Sequence, residues 1–183
     1  MKNYDYGVIK MKLINLFEVQ DGLKEHIGYK GNDKFPKMML AMLVEFMECA
    51  NDWRGFKYWS KDQNKKDSLL EETVDGLHFV LETGLDLLEQ GKIKSLPVYV
   101  NTNRIHHKAQ QQDIVRQYKQ LTYTVLYLDG EVDRGAKCLD IEYYELLKQY
   151  MHLCFLLGFT EEQIHAAYMK KNEVNHQRQA NGY

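Results

Sequence analysis

Apolar residues recur three and four positions apart along most of this chain, and that spacing places them on one face of a helix. The pattern first runs from Ile9 to Ile27. A second helix is expected to begin at Pro36, because the fixed φ and missing N–H of proline suit a first helical position. No alternating strand pattern with hairpin signals interrupts these stretches. The chain is therefore predicted to be all-α.

The later helices are marked by their ends as well as by their periodicity. A capping-box pattern opens one helix at Ser68 and another at Thr160. Two further helices are expected over residues 114–128 and 141–157. The remaining breaks are expected to be non-helical, as a loop or linker over 91–104 and a turn over 129–135. The prediction is a helical bundle of five or six helices in a single domain over residues 1–183.

Composition favours a folded protein of a reducing compartment. Of the 183 residues, 44% are hydrophobic and only two are proline, which is unlike a disordered chain. The three cysteines, Cys49, Cys138 and Cys154, lie far apart and form no C-x-x-C pair. We expect reduced, mostly buried thiols and a cytoplasmic location.

The charge balance and hydropathy exclude two classes of partner. The chain has 24 Lys and Arg against 26 Asp and Glu, which gives a formal net charge of −2. A surface that is basic throughout, as in many nucleic-acid binders, is therefore excluded. No segment reaches the roughly 18 uncharged apolar residues that a membrane-spanning helix needs. Neither a nucleic-acid nor a membrane partner is expected.

Two pairs of acidic residues are the first candidates for a functional site. Glu45 and Glu48 follow an apolar run over residues 38–44, which predicts a helix buried nearly all round. Glu72 and Asp75 repeat the three-residue spacing on the third helix. Because such pairs share a helix face, four carboxylates converge if the two helices pack side by side. Clustered carboxylate oxygens suit Mg²⁺ or Mn²⁺ better than zinc.

A solvated surface is the ordinary alternative for acid pairs of this kind. The nearby acids Asp52 and Glu82 could extend the acidic site, but a surface position is expected for both. Gln20, in line with apolar positions of the first helix, is either a hydrogen-bonded core amide or a reader of a nucleobase edge. The end of the chain, 170–183, has the composition of a frayed terminus, yet its cations and amides suit phosphate groups and base edges.

These motifs resemble a known group of enzymes. The E-x-x-E pair at Glu45 and the E-x-x-D pair at Glu72 resemble those of the all-α nucleoside triphosphate pyrophosphohydrolases. Further stretches narrow the resemblance to the dimeric dUTPases: FEVQ at 17–20, WRGFKYWS at 53–60, ETVDGLHF at 72–79 and KNEVNHQRQANGY at 171–183. Residues 88–137 carry no such motif and are interpreted as a variable helical insert or extension.

The resemblance implies a dUTP diphosphatase that forms a homodimer. The enzyme would hydrolyse dUTP at the β-phosphorus to dUMP and pyrophosphate, and would also accept dUDP. Glu45, Glu48, Glu72 and Asp75 would hold two or three Mg²⁺ ions, with Mn²⁺ as a substitute. Glu45 and Glu48 would be catalytic, with Glu45 as the general base for the attacking water.

The resemblance also implies the substrate-binding residues. The amides of Gln20 and Asn175 would read the uracil edge, with Tyr58 or Trp59 near the base. Phe79 would pack under the deoxyribose and leave no room for a 2′-hydroxyl. Three cations would bind the phosphates, namely Lys57, Lys171 and Arg178. Residues 172–183 would therefore be a substrate-binding C-terminal tail.

Two other functions remain open at this point. The same chemistry could act on another nucleotide, such as dCTP or a damaged triphosphate, as in MazG-like house-cleaning enzymes. Alternatively, the chain could be a helical interaction protein without enzymatic activity, whose acids are merely solvated.

Overall fold

The computed structural model describes residues 8–103 and 111–182, and within them it confirms the all-α bundle. Six helices are accompanied by one pair of short strands. In chain order the elements are β1 (Val8–Lys12), α1 (Ile14–Ile27), α2 (Lys34–Trp53), α3 (Leu69–Glu89), β2 (Tyr99–Asn103), α4 (Gln111–Asp133), α5 (Asp140–Leu156) and α6 (Glu161–Ala180). Their buried apolar side chains form one cluster.

Helix α3 is the centre of the bundle, in contact with α1, α2, α5 and α6. Fourteen of its 21 residues are buried, so it is enclosed on most sides. Two glycines allow α5 to approach closely: Gly76 lies against the ring of Tyr150 and Gly84 against that of Tyr143. The tyrosine hydroxyls donate hydrogen bonds to backbone carbonyls of α3. Because α3 also carries Glu72 and Asp75, this packing holds two of the predicted acids in place.

Helix α2 has one buried and one exposed apolar face. Its core face is formed by Phe35, Met38, Met39, Met42, Phe46, Cys49 and Trp53. By contrast, Leu40, Val44 and Met47 are 65%, 47% and 43% exposed. The expectation that the helix over residues 38–44 is buried all round is therefore wrong. A helix turns 100° per residue, so the residues of α2 that face α3 and α4 are buried while those on the opposite face stay exposed in the part of the chain that the structure describes.

The small sheet corrects the predicted start of the first helix. Residues 8–12 form β1, and α1 begins at Ile14 rather than Ile9. Strand β1 pairs antiparallel with β2, which lies in the segment 91–104 expected to be a loop or linker. The opposed side chains of Met11 and Val100 are fully buried. Two five-residue strands so far apart in the chain leave no local signal of pairing.

The ends of two helices depart from the sequence prediction. Helix α2 begins at Lys34 rather than Pro36. Ser68 precedes α3 but makes no side-chain cap; its hydroxyl donates instead to the carboxylate of Asp52. Asp52 also accepts from Lys66 and is buried, so the expected surface position of Asp52 is wrong. This contact links the end of α2 to the start of α3. The capping box at Thr160 is confirmed.

Two segments expected to be irregular are helical. Helix α4 continues to Asp133 through most of the predicted turn at 129–135. Helix α6 continues to Ala180, so residues 172–180 are not a tail. The reason is tertiary: α6 packs against α1 and α3, and Lys171 and Asn172 are buried there. Helix α5 ends close to its predicted boundary, before Gly158 at φ +94°.

Two global expectations can be compared with the described residues. All three cysteines are free, with Cys49 and Cys154 buried and Cys138 exposed. Among the described helices, none combines the length and the apolar character required to cross a bilayer.

A methyl group added at Gly84 tests the contact between α3 and α5. It would lie 2.7 Å from Cε1 of Tyr143, which is buried and held by a hydrogen bond to Val80 O. We expect Gly84→Ala to destabilise the protein by about 1–3 kcal/mol. Gly22 in α1 has open space at its Cβ position, so Gly22→Ala should instead stabilise by up to about 1 kcal/mol. Thermal unfolding measures both; equal stability of Gly84→Ala and wild type would contradict the close packing.

Candidate active site

One cavity brings together most of the residues singled out in the sequence. It has a volume of about 250 Å³ and lies among α1, α3 and α6, with the edge of α2 as a fourth wall. The predicted site residues that line it are Gln20, Glu45, Asp75, Phe79, Lys171, Asn175 and Arg178. The bundle therefore joins the first helix, the acid-bearing helices and the end of the chain at one place.

Three carboxylates meet beside the α2 wall of this cavity, and two of them, Glu45 and Asp75, line it. Glu45 precedes the core residue Phe46 on α2, so its carboxylate lies at the edge of the α2–α3 contact. Oxygens of Glu45, Glu72 and Asp75 lie within 4.8 Å of one another, and all three residues are half-buried. Negative charges this close repel each other in a partly desolvated place. An oxygen cluster of this kind can hold a divalent cation.

Burial raises the pKa of all three carboxyl groups, and neighbouring charges add to the shift in Glu45 and Glu72. Burial, and then the charge of Asp75, raises the pKa of Glu45 to about 7. The same two causes raise the pKa of Glu72. Burial also raises the pKa of Asp75, although a hydrogen bond from Lys171 opposes the shift. Each carboxyl group therefore carries its charge less readily than in water, which a bound cation would reverse.

Lys171 is the ammonium that faces this cluster from α6. Its Nζ donates to Glu71 Oε1 at 2.8 Å and lies 2.7 Å from Asp75 Oδ2. Burial alone would lower the pKa of Lys171, but the bonds to Asp75 and Glu71 together raise it. The side chain is 9% exposed and stays charged. Its ion pairs attach α6 to α3.

Gln20 lies at the other end of the cavity in a buried polar network. Its Oε1 accepts from His78 Nδ1 at 2.7 Å and from the Tyr168 hydroxyl at 2.6 Å. Its Nε2 donates to Glu82 Oε2 at 3.1 Å. The His78 and Tyr168 rings stack with centroids 4.1 Å apart. Gln20 is thus a satisfied core amide that also lines the cavity, and the two interpretations of this residue do not exclude each other.

Glu82 is buried and ion-paired, so the expectation that it lies on the surface is wrong. Its Oε1 is 2.9 Å from Nζ of Lys34, which also bonds Asp86 at 2.8 Å. The position is buried because α3 is the central helix. Burial likewise lowers the pKa of His78 to about 3, so this ring is neutral at physiological pH.

Glu48 does not join the three-carboxylate cluster of the described residues. It lies one turn beyond Glu45 on α2 and is exposed. Its charge nevertheless contributes to the raised pKa values of Glu45 and Glu72. Of the four carboxylates predicted to converge, three have oxygens within 4.8 Å of one another, and the fourth, Glu48, lies one helical turn away.

Lys57, Tyr58 and Trp59 do not line the cavity in this chain. They lie on the connection between α2 and α3, where Tyr58 is 87% and Trp59 65% exposed. The two aromatic rings meet edge to face, with centroids 5.0 Å apart. Lys57 Nζ lies 5.7 Å from the centroid of the Phe56 ring. Their assignment to substrate binding stays a prediction.

Sequence reasoning missed the polar residues that support the site. Along α3, the side chains of Asp75, His78 and Glu82 follow a three- and four-residue spacing, and along α6 those of Tyr168 and Lys171 are three residues apart. This spacing places each set on one helix face, so the signal was present. The missing information was which face α1 covers. Glu71 carries no comparable signal, because its partner Lys171 is remote in sequence.

The raised pKa of Glu45 gives a stability test in the absence of divalent cations. A carboxyl group whose pKa is higher in the folded state stabilises the fold at low pH, and this contribution is lost as pH rises from about 4.5 to 7. Glu45→Gln should therefore be more stable than wild type at pH 8, with a difference that shrinks towards pH 4.5. Thermal midpoints in EDTA across this range measure it. A wild type more stable than the variant at pH 8 would contradict the electrostatic account.

Comparison with known proteins agrees with the geometry. A family model described as dUTPase matches residues 12–183, which include every helix of the cavity. A search of curated proteins gave no match. The match spans nearly the whole chain and both acid pairs. The chain therefore belongs to the dUTPase family, and it is a dUTP diphosphatase, a nucleoside triphosphate pyrophosphohydrolase.

Proposed function

We propose that the cavity among α1, α3 and α6 is where this enzyme hydrolyses dUTP to dUMP and pyrophosphate, with dUDP as a second substrate. The observation that carries the proposal is the composition of its walls. Glu45 and Asp75, which share their cluster with Glu72, meet amide and cationic side chains from α1 and α6 in one cavity. A nucleoside triphosphate needs both, since its phosphates require cations and its base requires hydrogen-bonding groups.

Glu45, Glu72 and Asp75 would hold Mg²⁺, for which Mn²⁺ could substitute. Their oxygens lie within 4.8 Å of one another, and no histidine or cysteine belongs to this cluster in the described residues. Such a hard donor set favours these ions over zinc. Glu48, one turn along α2, would complete a site for two or three ions. When bound, the ions neutralise phosphate charge and acidify a water molecule.

Glu45 is the proposed general base. Its pKa is about 7 in the metal-free protein, and a bound cation would lower it, so the carboxylate would be deprotonated and free to accept a proton from water. Glu45 would remove the proton from the water that attacks the β-phosphorus. Glu48, one turn along α2, would be catalytic beside it, and its charge acts on Glu45 in the metal-free protein.

The phosphates would be bound from α6. Lys171 is held beside the acid cluster by Asp75 and Glu71, so a phosphate that meets cations there also meets this ammonium. Arg178 lines the same cavity two turns further along α6. Lys57 would add a third cation from the α2–α3 connection, and Tyr58 or Trp59 would approach the base from there. Residues 172–183, proposed as a substrate-binding segment, would thus act largely from the last turns of α6, which ends at Ala180.

The nucleoside would occupy the part of the cavity lined by Gln20, Phe79 and Asn175. The Asn175 amide offers both donors and an acceptor to a base edge, whereas the Gln20 amide, already bonded to three side chains, has one N–H left to offer. Phe79 lies one turn beyond Asp75 on α3 and is half-buried. Its ring would pack under the deoxyribose and give a 2′-hydroxyl neither space nor a partner, which would discriminate against UTP.

Replacement of one carboxylate tests the assignment of the site. Asp75→Asn should reduce kcat/KM for dUTP with Mg²⁺ by at least about 100-fold, because a proposed cation ligand is lost. Glu89→Gln, on the same helix but 65% exposed and outside the cavity, is the matched control and should stay near wild type. Pyrophosphate release measures both activities. Full activity of a folded Asp75→Asn would contradict the proposed metal site.

A second copy of the chain is proposed to cover the exposed apolar face of α2. Leu40, Val44 and Met47 form one stripe there, and contiguous exposed apolar surface commonly marks an interface. The resemblance to dimeric dUTPases supports the same conclusion. The stripe also continues to Glu48, so dimerisation would enclose that side of the acid cluster.

A charge in the stripe tests the dimer. Val44→Glu should convert a dimer to a monomer, because the interface would bury an unpaired carboxylate. Leu126→Glu is the control, since Leu126 belongs to a separate exposed apolar group on α4 and is 56% exposed. Light scattering after gel filtration gives the masses. A monomeric wild type, or dissociation by Leu126→Glu alone, would contradict the proposed interface.

A cytoplasmic location is proposed as well. The support is chemical: all three cysteines are free, and two of them are buried. Unpaired thiols are usual in reducing compartments.

A further inference from the structure

The amide of Gln20 has a defined orientation because one of its three hydrogen-bond partners, Glu82, can only accept, while the other two can donate. Glu82 is a carboxylate paired with the Lys34 ammonium at 2.9 Å, so it can only accept a hydrogen bond. The atom of Gln20 that faces Glu82 must therefore be the donor Nε2. The reverse orientation would set Oε1 against a carboxylate in a buried place, which is costly.

That orientation determines what the amide can offer to a ligand. Oε1 already accepts from His78 Nδ1 and from the Tyr168 hydroxyl, so both of its lone pairs are used. Nε2 has two hydrogens and gives one to Glu82. The remaining hydrogen-bonding capacity of Gln20 is thus a single N–H. Gln20 is one of the residues that line the cavity.

His78 supplies the complementary group. Since its Nδ1 donates to Gln20, the neutral ring carries its lone pair on Nε2. This Nε2 is buried and has no hydrogen-bond partner among the described residues. His78 lines the cavity next to Gln20. The two neighbouring side chains therefore combine one unused donor with one unused acceptor.

We propose that Glu82 is a positioning residue for base selection: it fixes the orientation of the Gln20 amide, so that this part of the cavity accepts a keto base and disfavours an amino base. The inference rests on the proposed use of the cavity for dUTP. The keto oxygen and N3–H of uracil present an acceptor beside a donor, which fits the N–H of Gln20 and the Nε2 of His78. The amino group and bare N3 of cytosine present the reverse order.

The decisive variant is Glu82→Gln. A glutamine there can donate to Gln20 Oε1, which permits the Gln20 amide to turn over and removes the discrimination. The dUTP to dCTP ratio of kcat/KM should fall by at least about tenfold. Asp86→Asn is the matched control, since Asp86 is the other acid bonded by Lys34, one turn further along α3, and makes no contact with Gln20. Its ratio should stay within about twofold of wild type.

The outcomes separate this inference from the proposed function. A Glu82→Gln enzyme that hydrolyses dUTP with an unchanged ratio would overturn the role of Glu82. An equal loss on both nucleotides would also overturn it, because a merely structural residue would act in that way. A wild type and an Asp86→Asn variant that both fail to hydrolyse dUTP would instead contradict the proposed function.

A second measurement needs no folded variant of Glu82. Long-range ¹H–¹⁵N NMR spectra of the wild-type protein report which ring nitrogen of His78 carries the proton. The proposal requires the proton on Nδ1. A proton on Nε2 would mean that Gln20 presents its amide nitrogen to His78, and this result would overturn the proposed orientation.

Discussion

The ion pair between Lys171 and Asp75 is the contact on which the site depends. It joins the last helix of the chain to the central one, and its two atoms lie 2.7 Å apart. Asp75 belongs to a cluster with Glu45 and Glu72, in which burial raises the pKa of each carboxyl group and the charge of Asp75 raises the pKa of the other two further. The ammonium of Lys171 offsets part of that repulsion. The same contact keeps α6 folded against the bundle, where composition alone would suggest a frayed end.

Helix α3 carries residues of both the acid cluster and the buried amide network along one face. Asp75 stands at the acid cluster and Glu82, seven residues later, at the buried amide network. At about 1.5 Å of rise per residue, the two ends lie about 10 Å apart on one helix face. Phe79 lies between them and lines the cavity. The spacing of polar residues on a single rigid helix thus sets the distance between the groups that would bind phosphate and those that would bind the base.

Local patterns in the sequence predicted the helices and the acid pairs, and a resemblance predicted the family. These features depend on residues three or four positions apart, which the chain itself displays. What could not be predicted depends on remote contacts. Ser68 does not cap α3, because its hydroxyl donates to Asp52 instead. Glu82 is buried and paired with Lys34, because the neighbouring helices enclose α3. The β1–β2 pairing and the exposed stripe of α2 likewise follow from which faces meet, and periodicity does not give that information.

The central claim is that the carboxylates of Glu45, Glu72 and Asp75 form a divalent cation site in the same cavity as Lys171 and Gln20. A crystal of the protein soaked with Mn²⁺ and a non-hydrolysable dUTP analogue, measured for anomalous scattering, tests it most directly. The account predicts anomalous peaks about 2.0–2.6 Å from oxygens of these three residues, with the uracil ring next to Gln20. Manganese bound elsewhere, with the three carboxylates free of metal, would contradict it.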